Sequence, residues 1–532
     1  MLHSGSSNKS CKIDSSKIPD LIEITIDDLT KFLNDGCFTS HQLTQAYIAR
    51  INEVNPKFHA VTEINPDALS IAKSLDAERT SGKLRGPLHG VPILLKDNIA
   101  TADQMNNTAS SYALLGAKVP KDSMIAAKLR AAGAIILGKT GMSQWASFRC
   151  NGSGCTNGWG SRHGQITSAY YPNLDPSGSS SGSGVASSLG LALASIGTDT
   201  SASIISPSER NCLVGIRPTV GLTSRHLVIP ISEHQDTIGP MARTVRDAAY
   251  ILSAIAGKDA DDKYTANIPF SAVPEYWKDL QTGALKGAKI GIPRNLVPKG
   301  LPGMNIFDQA VETMRKLGAN IIDTSFPSLM EFFKAAGKDH DLVLGLDFKT
   351  NLKEYLSKLT VNPHNIHNLE DLIEFTKKDP REDYPKRDID AWIQAMNHTC
   401  HDNTCAEFKT LYEKNTKVGG QDMILGALDT KTDKLDALIL PSFFAGIITG
   451  PSGYPAVTVP IGFKPANEKV VTGGGGLIAD APGVPLGVSF LGRKFDEQKL
   501  INFAFAYEQE TQVRAKGPKQ YMVPKAQVKD FI

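Results

Sequence analysis

The residues best suited to chemistry in this sequence are serines set among glycines. Pro176-Ser-Gly-Ser-Ser-Ser-Gly-Ser-Gly184 leads into an apolar, helix-like run from Val185 to Leu193, and Gly197-Thr-Asp-Thr-Ser-Ala-Ser-Ile-Ile-Ser-Pro207 follows. A serine hydroxyl becomes a nucleophile once a neighbouring base takes its proton. Small neighbours let backbone approach closely and leave N–H groups free at a helix N-terminus, where negative charge is stabilised. Ser/Gly runs are also the composition of flexible linkers, but a linker rarely sits between two apolar elements in mid-domain. Gly178-Ser-Ser-Ser-Gly182 also fits the G-x-S-x-G nucleophile elbow, with Ser180 as nucleophile. That motif needs a strand directly before it. Ala169 to Pro176 offers Pro172, Pro176 and turn residues instead, and the later histidines lie in no matching context.

Other candidates are weaker. His398, Cys400, His401 and Cys405 form a compact group, but their spacing fits no standard zinc finger, so no metal site is expected. Cys150 and Cys155 flank Asn-Gly-Ser-Gly and are expected as free thiols. The seven cysteines are odd in number and scattered, a pattern that suits reduced thiols in the cytosol. Asn8, Asn106, Asn151 and Asn397 each open an Asn-x-Ser/Thr triplet. Met1 to Asp20 is polar with no apolar h-region, so these triplets read as chance and the location as cytoplasmic. No stretch reaches the roughly 18 apolar residues of a spanning helix. With 57 basic and 55 acidic residues the net charge is +2, which gives no electrostatic case for nucleic acid or an anionic membrane.

The elements that must hold such groups alternate. Leu29 to Phe32, and then Leu43, Ala46, Tyr47, Ile48 and Ile51, recur at helical spacing, with Ser40 placed to cap the second helix. A third helix runs from Pro66 to Arg79. After the turn Gly86-Pro-Leu-His-Gly90, in which His89 reads as structural, Val91 to Leu95 is a buried strand that delivers Lys96 at its end. Ser123–Ala132 (helix), Ala134–Leu137 (strand), Ala288–Ile292 (strand), Ile306–Leu317 (helix) and Asn320–Ile322 (strand) continue the alternation, the mark of an α/β layer architecture. Residues 335–430 are charged and helix-prone and read as a helical insertion. Strands return at Leu435–Leu440, Ala456–Pro460 and Leu486–Phe490, Gly473–Gly476 reads as a mobile loop, and Gln498–Gln512 closes as a helix. The expected organisation is a polar tail over 1–20 and one domain over 21–532.

Several of these segments together resemble the amidase signature family. They are Gly-Pro-Leu-His-Gly-Val-Pro-Ile-Leu-Leu-Lys-Asp-Asn (86–98), the Ser/Gly loop, Gly-Thr-Asp-Thr-x-x-Ser-Ile (197–204) and Val-Gly-Ile-Arg-Pro-Thr (214–219). Gly-Leu-Thr-Ser-Arg (221–225), Asp236-x-x-Gly-Pro240, Arg243-Thr-Val-x-Asp247, Gly453 to Pro460 and Gly483 to Gly487 extend the likeness over roughly Ile26 to Arg514. Gly-Gln at 164–165 and Asp-Pro-Ser-Gly-Ser-Ser-Ser-Gly at 175–182 bring it nearest the peptide-amidase-like branch. The resemblance implies a single large α/β/α domain, with a twisted mixed sheet flanked by helices. It also implies a Ser–cis-Ser–Lys triad of Ser203 (nucleophile), Ser179 (bridge, preceded by a cis peptide) and Lys96 (base), with Ser179 and Ser203 separated by the usual 24 residues. Backbone N–H groups of Thr200, Ser201, Ala202 and Ser203 would form the oxyanion hole. No metal or organic cofactor is implied. The substrate would be a small-molecule or peptide-terminal amide, cleaved through an acyl-enzyme. Rival readings are esterase or acyl-transfer action on the same acyl-enzyme, a glutaminase of the amidotransferase A-subunit type with a tight partner, and an attenuated binding protein.

Lysine serves as a base only as the neutral amine, which an unperturbed pKa of about 10.4 forbids at pH 7. Burial lowers that value, and the end of the apolar run before Lys96 is where burial would occur. A hydroxyl donates and accepts at once, so Ser179 suits a proton relay, and Ser–Lys pairs are a known variant of triad logic. The sequence departs from the family pattern at Ser201-Ala202, where glycine is common, and at Ser177, Ile205, Gly141 and Gln144. Of these, Ala202 bears most directly on the oxyanion donors, because glycine alone tolerates positive φ cheaply.

Overall fold

The computed structural model describes residues 18–532 apart from 151, 153, 301, 302 and 336; of the tail expected over 1–20, residues 1–17 lie outside the described residues. The N-terminal helices Ile26–Asn34 and Ser40–Phe58 both open on capping boxes, Thr25 with Asp28 and Thr39 with Gln42. The cap of the second helix is therefore Thr39, not Ser40. Gln42, three residues on, can reciprocate to the Thr39 N–H, and the Ser40 N–H is taken by the Asp76 carboxylate at 2.7 Å.

Eleven strands form one mixed sheet: β1 (Val61–Ile64), β2 (Pro92–Lys96), β3 (Ile135–Thr140), β4 (Ala194–Asp199), β5 (Val214–Arg217), β6 (Thr237–Ala242), β7 (Lys289–Pro293), β8 (Asn320–Thr324), β9 (Ala437–Pro441), β10 (Ala456–Phe463) and β11 (Pro485–Leu491). Their order is β1-β3-β2-β4-β6-β5-β10-β11-β9-β7-β8. β2 pairs parallel with both β3 and β4, and Leu95 faces Ile196 across the second pairing. Every residue of β2, β3 and β4 is buried. Runs such as Ile93-Leu-Leu95 and Ile135-Ile-Leu137 suit strands covered on both faces. Helices flank the sheet, among them Ser181–Ser188, Val245–Ile255 and Glu497–Thr511.

The apolar run Val185 to Leu193 is not one helix. The helix covers Ser181–Ser188 and starts inside the Ser/Gly stretch. It ends at Gly190, whose φ of +60° and 2.6 Å clearance between a would-be Cβ and the Leu21 carbonyl oxygen admit no side chain. Between 329 and 428 the described residues form helices and turns, including Lys338–Ser357, Leu369–Lys378, Asp390–Asn397 and Ala406–Thr416. Phe348, Leu352 and Trp392 from this segment pack on Trp145, Ala109 and Ala113, which lie in the loops after β2 and β3. Glu382 fastens the same junction from a fully buried position. It accepts from Arg149 Nη1, Gln144 Nε2, Ser111 Oγ and the Tyr112 N–H, all at 2.8 Å. Such a buried ion pair holds only because hydrogen bonds satisfy its remaining lone pairs.

The cysteines correct an expectation. Cys150 is bonded to Cys155 and Cys400 to Cys405, and Cys37 is also disulfide-bonded. Cys212 alone among the described cysteines is a free thiol, and it is buried. The five-residue separation within each described pair brings the sulfurs together across a single tight loop. The argument for reduced cytosolic thiols therefore fails. Cys400 and Cys405 are bonded to each other and so do not stand as a pair of thiolates.

Candidate active site

Parallel neighbours β2 and β4 end side by side, and this is what assembles the site. Lys96 is the last residue of β2, while β4 runs into the loop carrying Thr200 to Ser203. In open α/β sheets the crevice beyond the carboxyl ends of parallel strands is the usual ligand position. The third contribution comes from the Ser/Gly loop, which enters its helix through a cis peptide between Gly178 and Ser179. A Cβ on Gly178 would lie 2.5 Å from Ser143 Oγ, so a side chain here would have to displace that hydroxyl. Ser177 takes a φ of +60° where glycine is usual, and its N–H is held by Asp175 at 2.7 Å. The stretch is a buried, hydrogen-bonded element and not a linker.

Lys96 Nζ lies 2.8 Å from Ser179 Oγ, and Ser179 Oγ lies 3.0 Å from Ser203 Oγ. Exposure rises along that line, from 0 % at Lys96 and 1 % at Ser179 to 8 % at Ser203, so the far end of the chain meets solvent. Desolvation pushes the Lys96 ammonium down to about 7, against a partial opposing pull from Asp199 and Asp236. Among the described residues no carboxylate touches the amine. Its other partners are Ser180 Oγ at 2.9 Å, Thr198 Oγ1 at 2.9 Å and the Thr198 carbonyl at 3.1 Å. Ser180 Oγ donates to the Thr198 carbonyl, and Thr198 Oγ1 accepts from Asn98 Nδ2 at 3.0 Å. Both hydroxyl oxygens thus have lone pairs free for Lys96 N–H donors, which leaves the lone pair of a neutral amine for the Ser179 hydroxyl.

Beside Ser203 the backbone presents open donors. The N–H groups of Thr200, Ser201, Ala202 and Ser203 make no hydrogen bond within the described chain. The turn is held from beneath. Asp199 accepts the Ile204 N–H at 2.7 Å and Arg217 Nη1 at 2.7 Å, and Arg217 also reaches the Gln235 and Gly450 carbonyls. Thr200 Oγ1 donates to Asp236 at 2.6 Å. Ala202 sits at φ +76°, a conformation that costs an alanine more than a glycine. The helix Ser442–Thr449 accommodates it: a Cβ on Gly446 would lie 2.4 Å from the Ala202 methyl, and one on Gly450 would lie 2.9 Å from Ser201 Oγ.

All six residues singled out from sequence therefore meet in one place. Ser180, the elbow candidate, is fully buried behind Lys96 and has no strand before it. Thr198, a partner of the amine, and Asn98, which bonds the Thr198 hydroxyl, were not singled out from the sequence. Thr198 lies next to Asp199 in the Gly-Thr-Asp run and Asn98 closes Lys-Asp-Asn, so motif membership was the available signal. His89, whose Nε2 is 2.9 Å from the Leu75 carbonyl, is an internal brace.

The Amidase family profile matches residues 42–501. A protein of Arthroderma benhamiae, named as an inferred amidase, is 48 % identical over 97 % of this chain and 90 % of its own length. One from Arabidopsis thaliana, named in the same way, is 37 % identical over 93 % of this chain and 91 % of its own. Among solved structures, the native peptide amidase of Stenotrophomonas maltophilia superposes with a TM-score of 0.83 at 36 % identity, covering 94 % of this chain and 99 % of that one.

Proposed function

Because the chain belongs to the amidase family, and is on that ground an amide hydrolase, we propose that it cleaves a carboxamide C–N bond with Ser203 as nucleophile, Ser179 as relay and Lys96 as base. The observation that carries this reading is the unbroken line from a buried lysine, whose ammonium desolvation pushes down to about 7, through two hydroxyls to the site's solvent side. Neutral Lys96 takes the Ser179 proton as Ser179 takes that of Ser203, and Ser203 Oγ bonds to the carbonyl carbon. The oxyanion lies against the free N–H groups of residues 200–203; single donors of this kind are worth about 2.7–4 kcal/mol in well-studied sites. The relay then runs backwards, the leaving nitrogen takes the proton, and the C–N bond breaks to give ammonia or an amine. Water, deprotonated through the same line, attacks the Ser203 ester and frees the carboxylic acid.

Similarity to a peptide amidase supports a peptide-terminal or small-molecule amide as substrate. Residues 21–532 are assigned to one domain, with 335–430 as an insertion that shapes the pocket; a single eleven-stranded sheet and the packing of Trp392 on Trp145 support this. No helix of the described residues is long and apolar enough to cross a membrane. The test is amine or ammonia release from a panel of peptide amides and small carboxamides. Turnover by the wild type that is lost in Ser203→Ala supports the assignment, and turnover retained by Ser203→Ala contradicts it.

A further inference from the structure

We propose that Asn397 is an N-glycan acceptor and that the chain matures in an oxidising, glycosylating compartment. The inference stands apart from the amide-hydrolase reading and rests on different residues. Asn397-His-Thr399 has the acceptor pattern, with no proline in the middle position. Asn397 is the last residue of the helix Asp390–Asn397, and both Asn397 and Thr399 are exposed. Neither side chain makes a hydrogen bond within the described chain, so Nδ2 is open to substitution. After Asn397 the chain leaves the helix in an extended conformation at His398 (ψ 146°), which separates the acceptor from the helix body.

Asn106 shows what an unusable triplet looks like. Its Nδ2 donates to Glu63 Oε1 at 2.9 Å and its Oδ1 accepts the Gly116 N–H at 3.0 Å, while the Thr108 hydroxyl is buried against Asp97 at 2.6 Å. A sugar on Asn106 would have to break all of these contacts. Asn8 and Asn151 lie outside the described residues. Position and exposure therefore separate Asn397 from Asn106, where the sequence pattern alone does not.

The independent observation is the cysteine chemistry. Cys400, three residues beyond Asn397, is bonded to Cys405, and the pair packs on Val343, Leu346 and Phe408 in the interior of the helical segment. Cys150–Cys155 closes a second loop and Cys37 is bonded as well. Disulfides persist in the compartments where asparagine-linked glycans are added, and are rare where glutathione keeps thiols reduced. In the modification, Asn397 Nδ2 forms a C–N bond to the anomeric carbon of an oligosaccharide carried on a lipid diphosphate. The lipid diphosphate departs and Nδ2 loses one proton.

The test is peptide mapping of the protein isolated from its own cells, before and after peptide N-glycosidase in ¹⁸O-labelled water. The expected result is no unmodified Asn397 peptide before digestion. Afterwards that peptide should appear with an ¹⁸O-labelled aspartate in place of the asparagine, while Asn106 stays unmodified throughout. Thr399→Ala keeps the asparagine and disturbs no internal contact, and it is expected to abolish the conversion. An unmodified Asn397 peptide in the untreated protein would overturn the proposal. So would free, alkylatable thiols at 150, 155, 400 and 405.

Discussion

Two fully buried lysines sit on adjacent parallel strands, Lys96 at the end of β2 and Lys139 near the end of β3, and their difference explains why only one sits in a reacting line. Desolvation pushes both ammonium groups down, to about 7 at Lys96 and about 8 at Lys139. Their partners differ in one respect. Lys139 Nζ meets the Ile99 carbonyl at 2.5 Å and Asn107 Oδ1 at 2.8 Å, oxygens that can only accept. It is held as a donor. Lys96 meets one carbonyl, that of Thr198, and three hydroxyls, one of which continues to Ser203, the least buried member of the line at 8 %. A depressed pKa thus marks burial, while the hydrogen-bonding character of the neighbours decides whether the freed lone pair has a proton to take.

The strongest way to break this comparison is to remove each amine in turn. Lys96→Met is expected to lower kcat by about 10²–10⁴, the usual contribution of a positioned base. Gly446→Ala, which drives a methyl into Ala202, is expected to cost about one to two powers of ten by tilting the N–H donors, part of the loss seen when such a donor is removed outright. Lys139→Met is expected to leave kcat of the folded enzyme unchanged while destabilising it by about 1–3 kcal/mol in denaturant titration, because two acceptors lose their donor. Stability itself should depend on pH. Both lysines have folded values below the unfolded value of about 10.4, so between about 7 and that value the unfolded chain binds more protons and stability rises with pH. Lys96→Met is expected to flatten that rise in part, and the double variant further. The smallest effect is assigned to Ala202→Gly, a few-fold change in turnover at most, because Gly446 already makes room for the methyl. A large gain there would show that alanine holds the wild type back.

Much of this was legible in the sequence where local pattern and chemistry coincide. The apolar run Val91 to Leu95 announces a buried strand, and a buried strand ending in lysine announces a depressed amine. The layered α/β architecture followed from alternation alone, and the resemblance supplied the three side chains that the structure brings within 3.0 Å of one another in sequence along the relay. What escaped was long-range or conformational. No spacing rule shows that Gly446 faces Ala202 across 244 residues, or that Thr198 meets the amine with Asn98 behind it. Helix limits inside Ser181–Ser188 escaped because serine and glycine are poor helix formers, overridden here by complete burial. The disulfides escaped because the count of cysteines was odd; among the described residues the free thiol is Cys212, which is buried.

The most direct measurement is the rate of fluorophosphonate labelling as a function of pH, with the labelled residue identified by peptide mapping. The account predicts a single label on Ser203, with a rate rising through pH about 7 as Lys96 loses its proton. Ser203→Ala should abolish it, Lys96→Met should slow it greatly, and Lys139→Met should leave the profile where it is. A label on Ser180, or a rate that ignores both pH and Lys96→Met, would contradict the relay.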